Sequence, residues 1–210
     1  MNFLENIDEK GIRALFSDED LKIAFNDKPS YYAHNGISYA LKTGQILKLR
    51  RGLYLKSGHS VSKYKVANLM YSPSFVSYES ALSFHGLIPE AVYTTTSACA
   101  LNKKKEYETP LGFFSFEYSP CSNFFIGVEQ VNEKGGALMA NAPRALFDLI
   151  HLRRKKYLHL SDLEQDLRID LNELSESLKQ FNASDLIELA SSYTRKYMEN
   201  FATLLIKEFK

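Results

Sequence analysis

Between Lys28 and Tyr78 the chain contains no Asp or Glu, while Lys28, Lys42, Lys48, Arg50, Arg51, Lys56, Lys63 and Lys65 are all basic. A segment of that length cannot neutralise its own cations. It must offer them to solvent, to acids elsewhere in the chain, or to a polyanion. The sign reverses between Ser161 and Ala190, where Asp162, Glu164, Asp166, Asp170, Glu173, Glu176, Asp185 and Glu188 face only Arg168 and Lys179. The totals conceal this polarity, since 26 Lys and Arg against 25 Asp and Glu give a formal net charge of +1.

Order within the basic segment restricts it further. Ser17-Asp18-Glu19-Asp20 ahead of Leu21, Ile23, Ala24 and Phe25 reads as an N-cap with an acidic first turn, which suits the positive end of a helix. Asn26 to Pro29 breaks that helix, and Ser30 is placed to cap the next. There Ala33, Ile37, Ala40 and Leu41 fall on one buried stripe at helical spacing. That stripe turns Tyr31, Asn35, Ser38, Tyr39 and Lys42 outward. Gly44 stops the helix, and Ile46 to Leu49 with Leu53 to Leu55 form two short strands around Arg50-Arg51-Gly52. Helix, turn, helix and basic hairpin predict a winged helix-turn-helix over residues 1–58.

The remainder, 61–210, reads as an α/β domain with an antiparallel sheet and a helical C-terminal part, giving an α+β chain. A connecting helix is predicted between Val61 and Met70. Ser77 and Gly86 bound a second helix, the glycine supplying its left-handed exit. Strands are predicted over Val92 to Leu101, Tyr107 to Tyr118 with a turn at Pro110-Leu111-Gly112, and Phe124 to Val128. Helices follow over Ala142 to Arg153, from Ser161 to at least Leu167, Leu171 to Phe181, and one long stretch from Ser184 to Phe209. A hydrophobic content of 45% over 210 residues is ample for such cores and excludes a disordered chain. No apolar run approaches the roughly 18 residues of a membrane span, so no membrane partner is expected. The opening MNFLENIDEKG is acidic where a secretory signal needs basic residues, and Cys99 and Cys121 form no C-x-x-C pair. A reduced, cytoplasmic protein is the expectation.

The basic helix and hairpin form the strongest candidate site. Asn35, Ser38 and Lys42 are suited to base edges in the major groove, with Tyr31 and Tyr39 on phosphates or thymine methyls. Lys48, Arg50 and Arg51 suit phosphates or a narrow minor groove. Signals for catalysis are weaker. Glu79 and His85 are six residues apart, not the i, i+4 pair of a helical metal site, and H-E-x-x-H, P-loop and G-x-G-x-x-G patterns are missing. Cys99 reads as core. Cys121 follows Pro120 in a turn with no adjacent base, and Glu106, Glu108 and Glu117 make no recognisable acid/base pair. The expectation is a non-enzyme with no cofactor and no metal. Two rivals are a protein-interaction module whose winged helix grips a protein, and a nucleic-acid-processing enzyme using Glu79, His85 and Glu117.

Four blocks carry a family resemblance. They are Leu41 to Ile46 running into Arg50-Arg51-Gly52-Leu53-Tyr54; Phe75 to Glu90, reading FVSYESALSFHGLIPE; Tyr107 to Phe114; and Ala140 to Leu149, reading ANAPRALFDL. In this order the chain resembles the AbiEi-like antitoxins of type IV toxin–antitoxin (abortive infection) systems. The resemblance implies a winged helix-turn-helix repressor that autoregulates its operon; because one such module gives modest affinity, two copies, as a homodimer or as cooperatively bound monomers, are expected on promoter inverted repeats in double-stranded DNA. It also implies a second domain opposing a nucleotidyltransferase-like toxin.

Overall fold

A computed structural model describes residues 3–133 and 135–209. The first helix of the predicted pair starts where its cap chemistry dictates. Ser17 Oγ accepts from the Asp20 amide at 3.2 Å, and Asp20 accepts from the Ser17 amide at 2.7 Å, a reciprocal capping box. Around it the chain runs α1 (Phe3–Glu9), β1 (Leu15–Ser17), α2 (Asp18–Ala24), α3 (Ser30–Lys42), β2 (Ile46–Arg50) and β3 (Leu53–Lys56). The three strands form an antiparallel sheet with β3 in the centre. Ser30 is the first residue of α3, and Pro29 takes the cap position.

Alternation along β3 covers the sheet on both sides. Tyr54 joins Phe3, Ile7, Phe16, Leu21, Phe25, Ala40 and Ile46 in a core beneath the three helices. Leu53 and Leu55, with Leu49 of β2, point the other way into the larger core of the following segments. In mid-α3, Gly36 lets α1 approach: a Cβ there would lie 2.2 Å from the Phe3 ring.

Beyond the hairpin the order is α4 (Lys63–Met70), β4 (Ser74–Val76), α5 (Tyr78–Phe84), β5 (Thr94–Cys99), β6 (Lys105–Thr109), β7 (Gly112–Tyr118), β8 (Val128–Val131) and β9 (Ala137–Ala140). Helices α6 (Ala142–Arg153), α7 (Leu160–Leu167), α8 (Leu171–Leu178), α9 (Ala183–Ser191) and α10 (Lys196–Phe209) complete the chain. The six strands are ordered β6-β7-β5-β4-β9-β8. The expected antiparallel sheet is mixed, because β5 pairs with β7, and β4 with β9, in parallel.

The mixed sheet is clamped to the C-terminal helices through a fully buried cation. Asn141 caps α6 by accepting from the Arg144 amide at 3.0 Å, and Pro143 sits in the first turn, where a missing amide hydrogen costs nothing. Arg144 Nε then donates to Asp148 at 3.0 Å, and its Nη1 donates to the carbonyls of Phe124 and Ile126 at 3.2 and 2.8 Å. Asp148 also accepts from Ser77, Ser119 and Tyr193. A buried ion pair is tolerated when every lone pair and proton is matched in this way.

The same network explains two departures from expectation. Phe124 to Ile126 do not form a strand, because the Phe124 and Ile126 carbonyls accept from the Arg144 guanidinium and the Phe125 carbonyl from the Val128 amide, in place of a neighbouring strand. The helix expected from Ser184 to Phe209 is broken at Ser192–Arg195, where Tyr193 turns in to reach Asp148 at 2.7 Å. Ser77 precedes α5 as predicted, but its hydroxyl donates to Asp148 at 2.8 Å and makes no side-chain cap.

Candidate nucleic-acid interface

Of the stripe expected to be buried on α3, Ala40 is fully buried, while Ala33, Ile37 and Leu41 are half-buried against the same core and line an open cleft. The opposite face is open. Tyr31 and Tyr39 are 64% and 58% exposed, and Asn35, Ser38 and Lys42 are exposed beside them. The spacing 31, 35, 39 and 42 forms a continuous line along a helix of 13 residues, about 20 Å at 1.5 Å per residue. Ser38 faces a neighbouring line and donates its hydroxyl to the His34 carbonyl at 2.9 Å, leaving its oxygen free to accept.

On that flank α2, α3 and the hairpin enclose an open cleft of about 420 Å³. Its rim carries Lys22, His34, Ser38, Lys48 and Arg51, with Asp18 and Tyr54 also lining it. Two of these residues, Lys22 and His34, lie beyond the candidates the sequence offers: Lys22 falls outside the carboxylate-free segment, and His34 lies between the outer face and the apolar stripe of α3. Asp18 anchors the cleft to the hairpin by donating its amide to the Gly52 carbonyl at 3.2 Å. Burial first, and then the Asp18 carboxylate, push the Tyr54 hydroxyl above its ordinary pKa, so it stays protonated.

The eight cations of the carboxylate-free segment are not equivalent. Lys56 is buried and reaches back to Asp8 at 2.5 Å and to the Ile12 carbonyl at 2.7 Å, so it closes α1 onto the sheet. Lys28 lies 3.7 Å from Asp27. Arg50, expected at the hairpin tip, is half-buried. The register shifts between Lys48 and Arg50, a bulge that re-aims the strand. Its guanidinium donates to the Arg51 and Leu69 carbonyls at 2.6 and 3.2 Å. Lys42, Lys48 and Arg51 remain exposed, with no ion pair among the described residues.

Of the predicted residues, the structure therefore groups Tyr31, Asn35, Tyr39 and Lys42 on one face of α3, and Ser38, Lys48 and Arg51 around the adjoining cleft. Arg50 belongs to neither. No family model and no curated protein matches this chain.

Glu79, His85 and Glu117 each have a partner of their own. Glu79 pairs with Arg153 at 3.0 Å, His85 Nε2 lies 2.9 Å from the Ala140 carbonyl, and Glu117 pairs with Lys104 at 2.9 Å. Cys99 and Cys121 are buried, and burial pushes both thiols above their ordinary pKa. Among the described residues, no group of three or more His, Cys, Asp or Glu is placed to hold a metal, and no helix is long and apolar enough to cross a membrane. In the acidic region Asp170 caps α8, Asp185 closes the capping box of α9 by accepting from the Asn182 amide, and Asp166 pairs with Lys155, while Asp162, Glu164, Glu173 and Glu188 project outward.

Proposed function

We propose that this chain is a DNA-binding transcriptional repressor in which residues 1–58 form a winged helix-turn-helix. Helix α3 is the recognition helix and the β2–β3 hairpin is the wing. The observation that carries this reading is the exposed line Tyr31, Asn35, Tyr39 and Lys42, flanked by the exposed cations Lys48 and Arg51. A helix of this size enters the major groove. Asn35 is suited to adenine, which offers an acceptor and a donor to one amide, and Lys42 to guanine or phosphate. Lys48 and Arg51 position the module on the backbone. Repression is steric, by occupation of promoter inverted repeats in double-stranded DNA. The chain binds as a homodimer or as cooperating monomers, because a single small module gives modest affinity.

The second half of the proposal is an antitoxin role for residues 61–210 against a nucleotidyltransferase-like toxin. It is supported by the resemblance to the AbiEi-like antitoxins and by the outward carboxylates of α7 to α9, which offer an acidic surface to a basic protein. The chain is a cytoplasmic binding protein with no catalytic role in this reading. Fluorescence anisotropy with a labelled duplex from upstream of the coding sequence tests the first half. Binding should be lost in Asn35→Ala with Lys42→Ala. A protein that retains its fold yet binds no upstream duplex at low salt rules out the repressor reading and favours the protein-interaction rival. Co-expression of the full chain with a nucleotidyltransferase-like toxin encoded beside it tests the second half: relief of growth arrest supports it, and unrelieved arrest, or a neighbouring region that encodes no such toxin, refutes it.

A further inference from the structure

A second cationic concavity, sharing no residue with the basic helix and hairpin, lies where the end of β7, the end of α6 and the start of α10 converge. It measures about 300 Å³ and is bordered by Arg154, Arg195, His151, Thr194, Tyr118 and Leu152. Arg154 closes α6 in the left-handed conformation, φ 55°, with its amide bonded to the His151 carbonyl. Arg195 immediately precedes α10, whose 14 residues direct a positive helix end toward the same place. Elsewhere in this half of the chain Arg144, Arg153 and Arg168 each meet a carboxylate. Arg154 and Arg195 meet none among the described residues, and no carboxylate lines the cavity.

One polar atom of a lining residue is buried without a partner, His151 Nδ1. Burial first, then the Arg195 and Arg154 charges against an opposing pull from Asp148, lower the His151 pKa. A neutral imidazole can still donate one hydrogen bond. Two guanidiniums, a threonine hydroxyl and an imidazole make a receptor for a dianion with several acceptor oxygens. The half-exposed Tyr118 ring and the Leu152 side chain add an apolar wall beside it.

We propose that this cavity binds a phosphomonoester of mononucleotide size. The phosphate lies on Arg154 and Arg195, and the flat base lies against Tyr118 and Leu152. The volume is at the lower end of small-ligand sites and leaves room for one such molecule.

Isothermal titration calorimetry of the full chain with the four nucleoside 5′-monophosphates, the matching nucleosides and inorganic phosphate tests the assignment. At least one monophosphate should bind, with inorganic phosphate competing weakly and the matching nucleoside binding at least tenfold less tightly. Arg154→Gln and Arg195→Gln should each weaken binding by about tenfold, the loss of one charge-assisted contact. Both arginines are exposed, so their variants should keep the parent melting temperature. Lys48→Ala with Arg51→Ala should leave nucleotide binding unchanged, which separates this site from the proposed DNA face. Binding of none of the monophosphates, equal binding of nucleoside and nucleotide, indifference to both arginine substitutions, or displacement of the nucleotide by a short duplex would each overturn the proposal.

Discussion

Arg50 and Arg51 are neighbours in sequence with the same charge, yet they stand in opposite surroundings. Arg51 and Lys48 are exposed at the cleft, whereas Arg50 is bound to the Arg51 and Leu69 carbonyls. Each phosphate contact contributes about 0.9 to the slope of log affinity against log salt. Replacing Lys48 and Arg51 by alanine should therefore reduce that slope by about 1.8. Between about 50 and 200 mM salt, the parent protein should lose roughly twelvefold more affinity than the double variant. Arg50→Ala should leave the slope within error of the parent, because no phosphate contact is removed. Its cost should appear in stability: losing two charge-assisted bonds to carbonyls is worth about 1.5 kcal/mol, or roughly 3–6 °C in melting temperature for a chain of this size. The assay is fluorescence anisotropy on one labelled duplex at five salt concentrations, with calorimetry on each variant. If Arg50→Ala lowers the slope as much as Arg51→Ala does, the inward orientation of Arg50 and the division of labour built on it are wrong.

Three further predictions concern the scaffold. Gly36→Ala places a methyl group against the Phe3 ring and should destabilise the fold by about 1–2 kcal/mol in urea denaturation, despite the better helix propensity of alanine. In a Phe3→Ala background the same substitution should be neutral or stabilising. Arg144→Met leaves Asp148 buried without its cation and should cost about 3–5 kcal/mol; a loss below about 1 kcal/mol in urea denaturation would mean the clamp is not structural. The Asp166 carboxyl is held below its ordinary pKa by hydrogen bonds from Lys155 and then Tyr157. A depressed folded value means the stabilisation is complete above the ordinary carboxylate range and is lost as pH falls through the folded value. Asp166→Asn should therefore flatten the acid limb of a melting-temperature profile, and an unchanged limb would remove Asp166 from the acid response.

What could be read from the sequence divides along the range of the interactions involved. The α2 cap lies within four consecutive residues, Ser17 to Asp20, and the α3 stripe repeats every three or four residues, so local chemistry specifies both. The exposed face of α3 follows from that stripe. The fate of individual cations does not, because it depends on partners far along the chain. Lys56 finds Asp8, and Arg50 finds the Leu69 carbonyl only after a bulge turns it. Strands β4 and β9, with three and four residues, are too short for alternation to mark them, and the parallel pairing of β5 with β7 joins strands separated in sequence by β6, which no local pattern specifies. The break before α10 carries no Pro or Gly; it is imposed by Tyr193 reaching a buried carboxylate on α6. The glycine at position 36 gave no signal either, since its role is defined by Phe3 docking against it.

The most direct test of the proposed binding face is amide chemical-shift mapping of the full chain titrated with an upstream duplex. The account predicts perturbations concentrated at residues 31–42 and 48–52, with the acidic helices between 161 and 190 unaffected. Perturbations centred on those acidic helices or on the outer strands of the six-stranded sheet, with α3 unchanged, would contradict it.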